Sequence, residues 1–196
     1  MNVTNPYAQA GWAGSNGTTP LPSLFGALPF PSQPPESSIH RFKFTSFNPD
    51  ILNCVLYGPQ SHAYFRVLNN TPSQNFTMFQ NREGKSIAVI EWRQSPGAVV
   101  EIRDIIRKQL VSSWLPLSSD RTYRFMKARD RTFVWVPQNQ YVGLYTYGTT
   151  NPELYAKLSR TEGCVTLEIS SVAIQIGLFE CCVVAVVLLQ SGRSID

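Results

Sequence analysis

The sequence SVAIQIGLFECCVVAVVLLQ, Ser171 to Gln190, decides how the rest of the chain is read. Val172, Ile174, Ile176, Leu178, Phe179, Val183, Val184, Val186, Val187, Leu188 and Leu189 are large and apolar. As a helix the segment would be about 30 Å long and oily nearly all round, interrupted mainly by Gln175 and Glu180. Such a helix belongs in a bilayer or at the centre of a protein. The unbroken apolar run Cys181 to Leu189 falls well short of the roughly 20 residues that a span needs. Inserting a carboxylate such as Glu180 costs on the order of 3 kcal/mol more. Ser170 stands where an N-cap is wanted at a strand-to-helix junction. We therefore expect a plug helix over 171–190, enclosed by strands whose apolar faces need a cover. Glu180 must then reach a rim, a water or a basic partner, because an unpaired buried carboxylate is costly.

The chain before the plug alternates with period two. Arg41-Phe42-Lys43-Phe44 puts aromatics on one face and cations on the other, as a half-buried strand requires. Strands follow at Ile51 to Tyr57, closed by Gly58-Pro59, and at Ala63 to Leu68, closed by Asn69-Asn70-Thr71-Pro72. Phe76 to Phe79 ends in an Asn81-Arg82-Glu83-Gly84 turn, and Ser86 to Arg93 and Ala98 to Arg103 form a hairpin about Ser95-Pro96-Gly97. Ile105 to Leu117 is less regular: a further strand fits near Ile105, and Leu110, Trp114 and Leu115 have helical spacing before Pro116. A second hairpin joins Arg121 to Lys127 with Arg131 to Val136, followed by strands at Gln140 to Tyr147, Glu153 to Arg160 and Cys164 to Ile169. The fold expected is mainly β, a closed antiparallel barrel of about 12 strands around a buried hydrophobic C-terminal helix.

The 196 residues are 43% hydrophobic and 15% charged, which fits one domain, 40–196, with an appendage. Residues 1–39 are rich in Pro, Gly, Ser, Asn and Thr without a period, so a disordered tail is expected there. Its Tyr7, Trp12, Phe25 and Phe30 are contact points for a partner or incidental to a solubilising tail. The net charge of +4 allows contact with acidic lipid or nucleic acid without requiring it. Cys54, Cys164, Cys181 and Cys182 show no zinc-like spacing, and only His40 and His62 could join them, so buried reduced thiols are expected and no metal or cofactor. No basic flank precedes an apolar core at the N-terminus, so the sequons at Asn2, Asn16, Asn69 and Asn75 read as chance matches. A cytoplasmic location is expected, peripheral at membranes or nuclear being compatible with it.

No catalytic constellation is visible: GxSxG, Walker, GxGxxG and HExxH patterns are all missing, and neither histidine has an obvious nucleophile beside it. Asp50, Glu91, Glu101 and Glu168 read as outward-facing partners of arginines. The candidate binding stretch is Arg121 to Arg131, with Arg121, Arg124, Lys127, Arg129 and Arg131 inside eleven residues. On a strand Arg121 and Lys127 share a face and Arg124 takes the other, with Arg129 and Arg131 at the turn. Joined by Arg103, Arg107 and Lys108, they would form a patch for phosphates or stand as a solvated basic surface. The aromatics alternate inward with the strands and make no stacking platform, so nucleic acid is not the expected partner. A ligand-carrying barrel is the structural rival, but the plug would fill its cavity.

Phe44-Thr45-Ser46-Phe47-Asn48-Pro49 with Ile51-Leu52-Asn53, Ala88-Val89-Ile90-Glu91-Trp92, Tyr123 with Phe133-Val134-Trp135, and Glu168-Ile169 leading into the apolar helix form a pattern over about residues 42 to 190. The pattern resembles the tubby C-terminal-like superfamily, which includes the tubby domain, phospholipid scramblases and the plant LURP-one-related proteins. More closely, it resembles an uncharacterised fungal family defined by a domain of unknown function. The resemblance implies a lipid-headgroup or protein-binding module, not an enzyme, with a structural or scaffolding domain as the alternative. No segment matches the tubby phosphoinositide motif residue by residue, and the acidic calcium-binding stretch of scramblases is missing, so no ligand set is carried over.

Overall fold

The alternation is realised as twelve antiparallel strands in one sheet, described by a computed structural model for residues 39–69, 75–161 and 163–196. They are β1 (Ile39–Thr45), β2 (Cys54–Tyr57), β3 (Ala63–Asn69), β4 (Phe76–Gln80), β5 (Ser86–Glu91), β6 (Val99–Ile102), β7 (Ile106–Leu110), β8 (Arg124–Ala128), β9 (Arg131–Pro137), β10 (Val142–Thr146), β11 (Leu154–Thr161) and β12 (Cys164–Ser170). Residues 1–38 of the tail expected over 1–39, and positions 70–72 of one expected turn, lie outside the described residues, while Ile39 opens β1 instead of ending a tail because it pairs with Ser170. The strand order is β7-β6-β5-β4-β3-β2-β1-β12-β11-β10-β9-β8. Every ladder joins sequence neighbours except β1–β12, which runs from Ile39↔Ser170 to Phe44↔Val165. The barrel expected from the sequence is thus formed, nearly closed, with its two edges β7 and β8 at a seam.

The irregular stretch Ile105 to Leu117 supplies both the twelfth strand, β7, and the short helix α1 (Val111–Trp114) that occupies the seam. Trp114 Nε1 donates to the Lys127 carbonyl at 2.8 Å, and Phe125 N–H donates to the Pro116 carbonyl at 2.9 Å. Both groups of β8 would otherwise face an unpaired edge, which invites pairing with a foreign strand. The tryptophan is therefore a seal, buried and with its one polar atom satisfied.

Inward positions two apart, such as Phe42 and Phe44, Phe65 and Val67, Ala88 and Ile90, and Val165, Leu167 and Ile169, line one core. The plug fills it: every residue from Cys181 to Val187 is 0% exposed. Over this stretch no face of the helix is polar because no face meets water.

The plug is not one helix over 171–190. It is α2 (Ser171–Gln175) and α3 (Phe179–Gln190), separated by a turn. Ser170 caps α2 as expected, its Oγ accepting from Ala173 N–H at 3.2 Å. The turn is a Schellman motif: Leu178 N–H donates to the Ala173 carbonyl, and Gly177 N–H to the Ile174 carbonyl, each at 2.9 Å. Gly177 sits at φ +76°, where L side chains are strained. Apolarity alone did not reveal the break, whose signal was the glycine. The turn lets a short helix lie near the rim while α3 enters the barrel. Glu180 falls in the first turn of α3, half-buried, where a carboxylate favours the helix dipole.

All four thiols are free. Burial pushes Cys54 and Cys181 up to about 12 and Cys182 well above the ordinary thiol value, whereas Cys164 is half-buried at the start of β12. Glu180 also raises the Cys181 thiol and Arg129 opposes it, which places both charges near the entry of α3.

Gly177→Ala should destabilise the domain by about 1–2 kcal/mol through left-handed backbone strain. Urea unfolding would show a lower midpoint with an unchanged slope.

Candidate functional site

Successive hairpins place their connections alternately at two ends of the barrel. At the end where α3 begins lie the β2–β3 connection, the β4–β5 turn, Arg103 to Ile105, Arg129-Asp130, Tyr147 to Glu153 and α2. At the end where α3 finishes lie the β5–β6 turn, α1 with residues 115–123, and residues 191–196.

The basic residues singled out in the sequence divide between these ends. The strand expected from Arg121 starts only at Arg124, because Ser118 to Thr122 is a turn. Ser118 Oγ accepts from Thr122 N–H at 3.1 Å and Tyr123 N–H at 3.2 Å, and Arg121 takes φ +60°. Arg121 is therefore exposed in a turn rather than on the Lys127 face. Arg124 does point opposite to Lys127, as expected. Its Nη1 donates to Asp196 Oδ1 at 2.9 Å and to the Leu115 carbonyl at 3.0 Å, and its Nη2 pairs with Asp196 Oδ2 at 2.5 Å.

At the other end, Arg129 and Asp130 form the β8–β9 turn with φ +46° and +61°. The Arg129 guanidinium folds against Gly177, where an added Cβ would lie 2.4 Å from its Nε. Lys108 and Arg93 both bind the Glu91 carboxylate, holding it below the usual carboxylate range, with the Lys108 hydrogen bond the largest cause. Arg103, Arg107, Lys127 and Arg131 are exposed, and none forms an ion pair among the described residues. Arg107 and Lys127 flank the seam at the end where α3 begins.

The acids follow expectation in part. Arg41 bonds Glu168 at 2.6 Å across the β1–β12 pair, but Asp50 serves its own loop by accepting from Leu52 N–H at 2.8 Å. His40 Nε2 lies 3.0 Å from Ser171 Oγ. Among the described residues no cluster of His, Cys, Asp and Glu could hold a metal ion.

Two features escape sequence reading. The three large apolar side chains that stand exposed among the described residues, Ile39 (61%), Tyr147 (53%) and Val172 (38%), share the end where α3 begins. A groove of about 370 Å³ opens at the same end between the β2–β3 connection and the β4–β5 turn, with Tyr64, Arg66, Gln80 and Arg82 in its wall. The pairing Arg66↔Gln80 is what brings the two walls of the groove together.

The opposite end is strapped. Arg193 lies 4.9 Å over the Trp92 ring, Ile195 is buried, and Asp196 passes Gly97 ahead of β6 before reaching Arg124 on β8. The strap thereby ties the two sides of the seam, beside a cavity of about 190 Å³ bounded by Arg121, Trp135 and Leu189. The Arg124 hydrogen bond holds the Asp196 carboxyl below its ordinary value. A lowered folded pKa adds stability that is complete above the ordinary value and fades as pH falls toward the folded one. Asp196→Asn should therefore cost about 1 kcal/mol or less at neutral pH, given the exposure of Asp196, with the difference from wild type shrinking in acid. Thermal melts across pH would show it.

Among the described residues no helix is long and apolar enough to cross a membrane. No curated protein matches the chain. A crystal structure of a protein from Arabidopsis thaliana aligns with 78% of this chain and 92% of its own, at 11% identity and a TM-score of 0.44. Residues 49–194, from the β1–β2 loop through α3 into the strap, match a family of unknown function, DUF6593. The chain belongs to that family.

Proposed function

We propose that this domain is a non-enzymatic binding module that docks on acidic phospholipid headgroups through the rim where α3 begins. The observation that carries the reading is the coincidence on that rim of Ile39, Tyr147 and Val172 with the unpaired Arg103, Arg107, Lys127 and Arg131. Apolar side chains raised at the same end as cations suit an interface of headgroups over acyl chains, and each cation there contributes about 1 kcal/mol. Asp104, Asp130 and Glu153 share the rim, so the charge term is short-ranged and the apolar side chains must carry part of the binding. The resemblance to the tubby-like superfamily and to an uncharacterised fungal family, read from the sequence, implies such a role, and the location that would go with it is cytoplasmic and peripheral at membranes. A protein-scaffolding role is the alternative.

Flotation with phosphatidylcholine vesicles, with and without phosphatidylserine, tests the reading. The protein should float only with the acidic lipid. Ile39→Ser with Tyr147→Ser, and separately Arg107→Gln with Lys127→Gln and Arg131→Gln, should each reduce flotation at least tenfold. Flotation indifferent to both sets would exclude the rim.

A further inference from the structure

We infer that the groove between the β2–β3 connection and the β4–β5 turn is a docking site for a carboxylate flanked by apolar side chains, as in an acidic peptide of a protein partner. Arg82 is already fixed there: its Nε donates to the Ala63 carbonyl at 2.6 Å and its guanidinium lies 5.3 Å over the Tyr64 ring. Among the described residues its two terminal nitrogens have no partner, so they present a parallel pair of donors outward, the geometry that grips a planar carboxylate. Arg66, exposed and without an ion pair among the described residues, stands in the same wall, and His62 lines the opening.

Apolar surface lies between these charges, beside Gln80 and Asn81. Ala63, Tyr64 and Phe65 line it, and Tyr64 and Phe65 rest on Phe179 of α3 with ring centroids 6.0 and 5.6 Å away. A side chain next to the carboxylate would find a floor made rigid by the plug itself.

The backbone argues against a phosphate. A phosphate needs several donors about three oxygens, commonly backbone amides. In the β4–β5 turn three consecutive amides are spent: Asn81 Oδ1 accepts from Glu83 N–H at 3.1 Å and Lys85 N–H at 2.9 Å, and its carbonyl accepts from Gly84 N–H at 3.0 Å. The donors left to the groove are chiefly the arginine forks. Glu83, the acid of this turn, forms no ion pair with Arg66 or Arg82.

The groove opens at the same end as the residues proposed to meet headgroups but shares none of them, so either reading can fail alone. The probe is a fluorescein-labelled, end-blocked peptide alternating leucine and glutamate, followed by fluorescence polarisation on the full chain. The glutamate peptide should bind, its leucine–glutamine counterpart at least tenfold more weakly. Arg82→Gln and Arg66→Gln should each weaken peptide binding several-fold, while reducing vesicle flotation far less than the combined Arg107→Gln, Lys127→Gln and Arg131→Gln change does. Among the described residues the Arg66 side chain forms no hydrogen bond or ion pair, so its variant tests the site even if Arg82→Gln melts early. Equal binding of both peptides, no binding of either, or binding unaffected by Arg66→Gln would overturn the assignment. Displacement by inorganic phosphate below the concentration at which acetate acts would reassign the groove to phosphate and overturn it as well.

Discussion

Everything in this domain depends on the removal from water of α3, a helix without a polar side. Twelve short strands cannot close on an empty interior, and a helix this oily cannot remain in solvent. Each is the remedy for the other, since apolar area leaving water is the dominant favourable term in folding. The β1–β12 ladder makes the arrangement possible: it brings the start of the barrel beside the strand that leads into the plug, so the helix turns directly back into the sheet that surrounds it. Ser170 and Gly177 supply the two local instructions for that return, a cap and a left-handed turn.

Closure is the second constraint. The β7–β8 seam is met by side chains instead of a ladder, with Trp114 capping a β8 carbonyl and Asp196 reaching Arg124 from the β6 side. The two ends of the barrel consequently differ. One is strapped, and its Arg124 is neutralised by a carboxylate. The other carries open cations, exposed apolar side chains and a groove, and binding chemistry is concentrated there because nothing in the fold consumes it.

Much of the architecture was legible because it rests on periodicity. Alternation marked the strands, turn residues separated them, and the unbroken apolarity of Cys181 to Leu189 marked the plug. The hinge at Gly177 was hidden since a lone glycine is tolerated in a helix, and only the backbone shows it left-handed. The functional surface was less legible for a different reason. Arg121 to Arg131 is continuous in sequence but runs along the barrel from one end to the other, so its charges separate. Arg66 and Arg82 are distant in sequence and converge through a strand register that composition does not encode. Pairing also decides availability: Arg124 and Lys108 look like free cations in the sequence and are held by Asp196 and Glu91.

Backbone amide hydrogen exchange by mass spectrometry tests the enclosed helix most directly. Peptides covering Val183 to Leu188 should exchange only through global unfolding, as slowly as the most protected strands and with the same dependence on denaturant. Exchange of that segment while the strands stay protected would contradict the account, since a helix that opens alone is not the core on which the sheet is built.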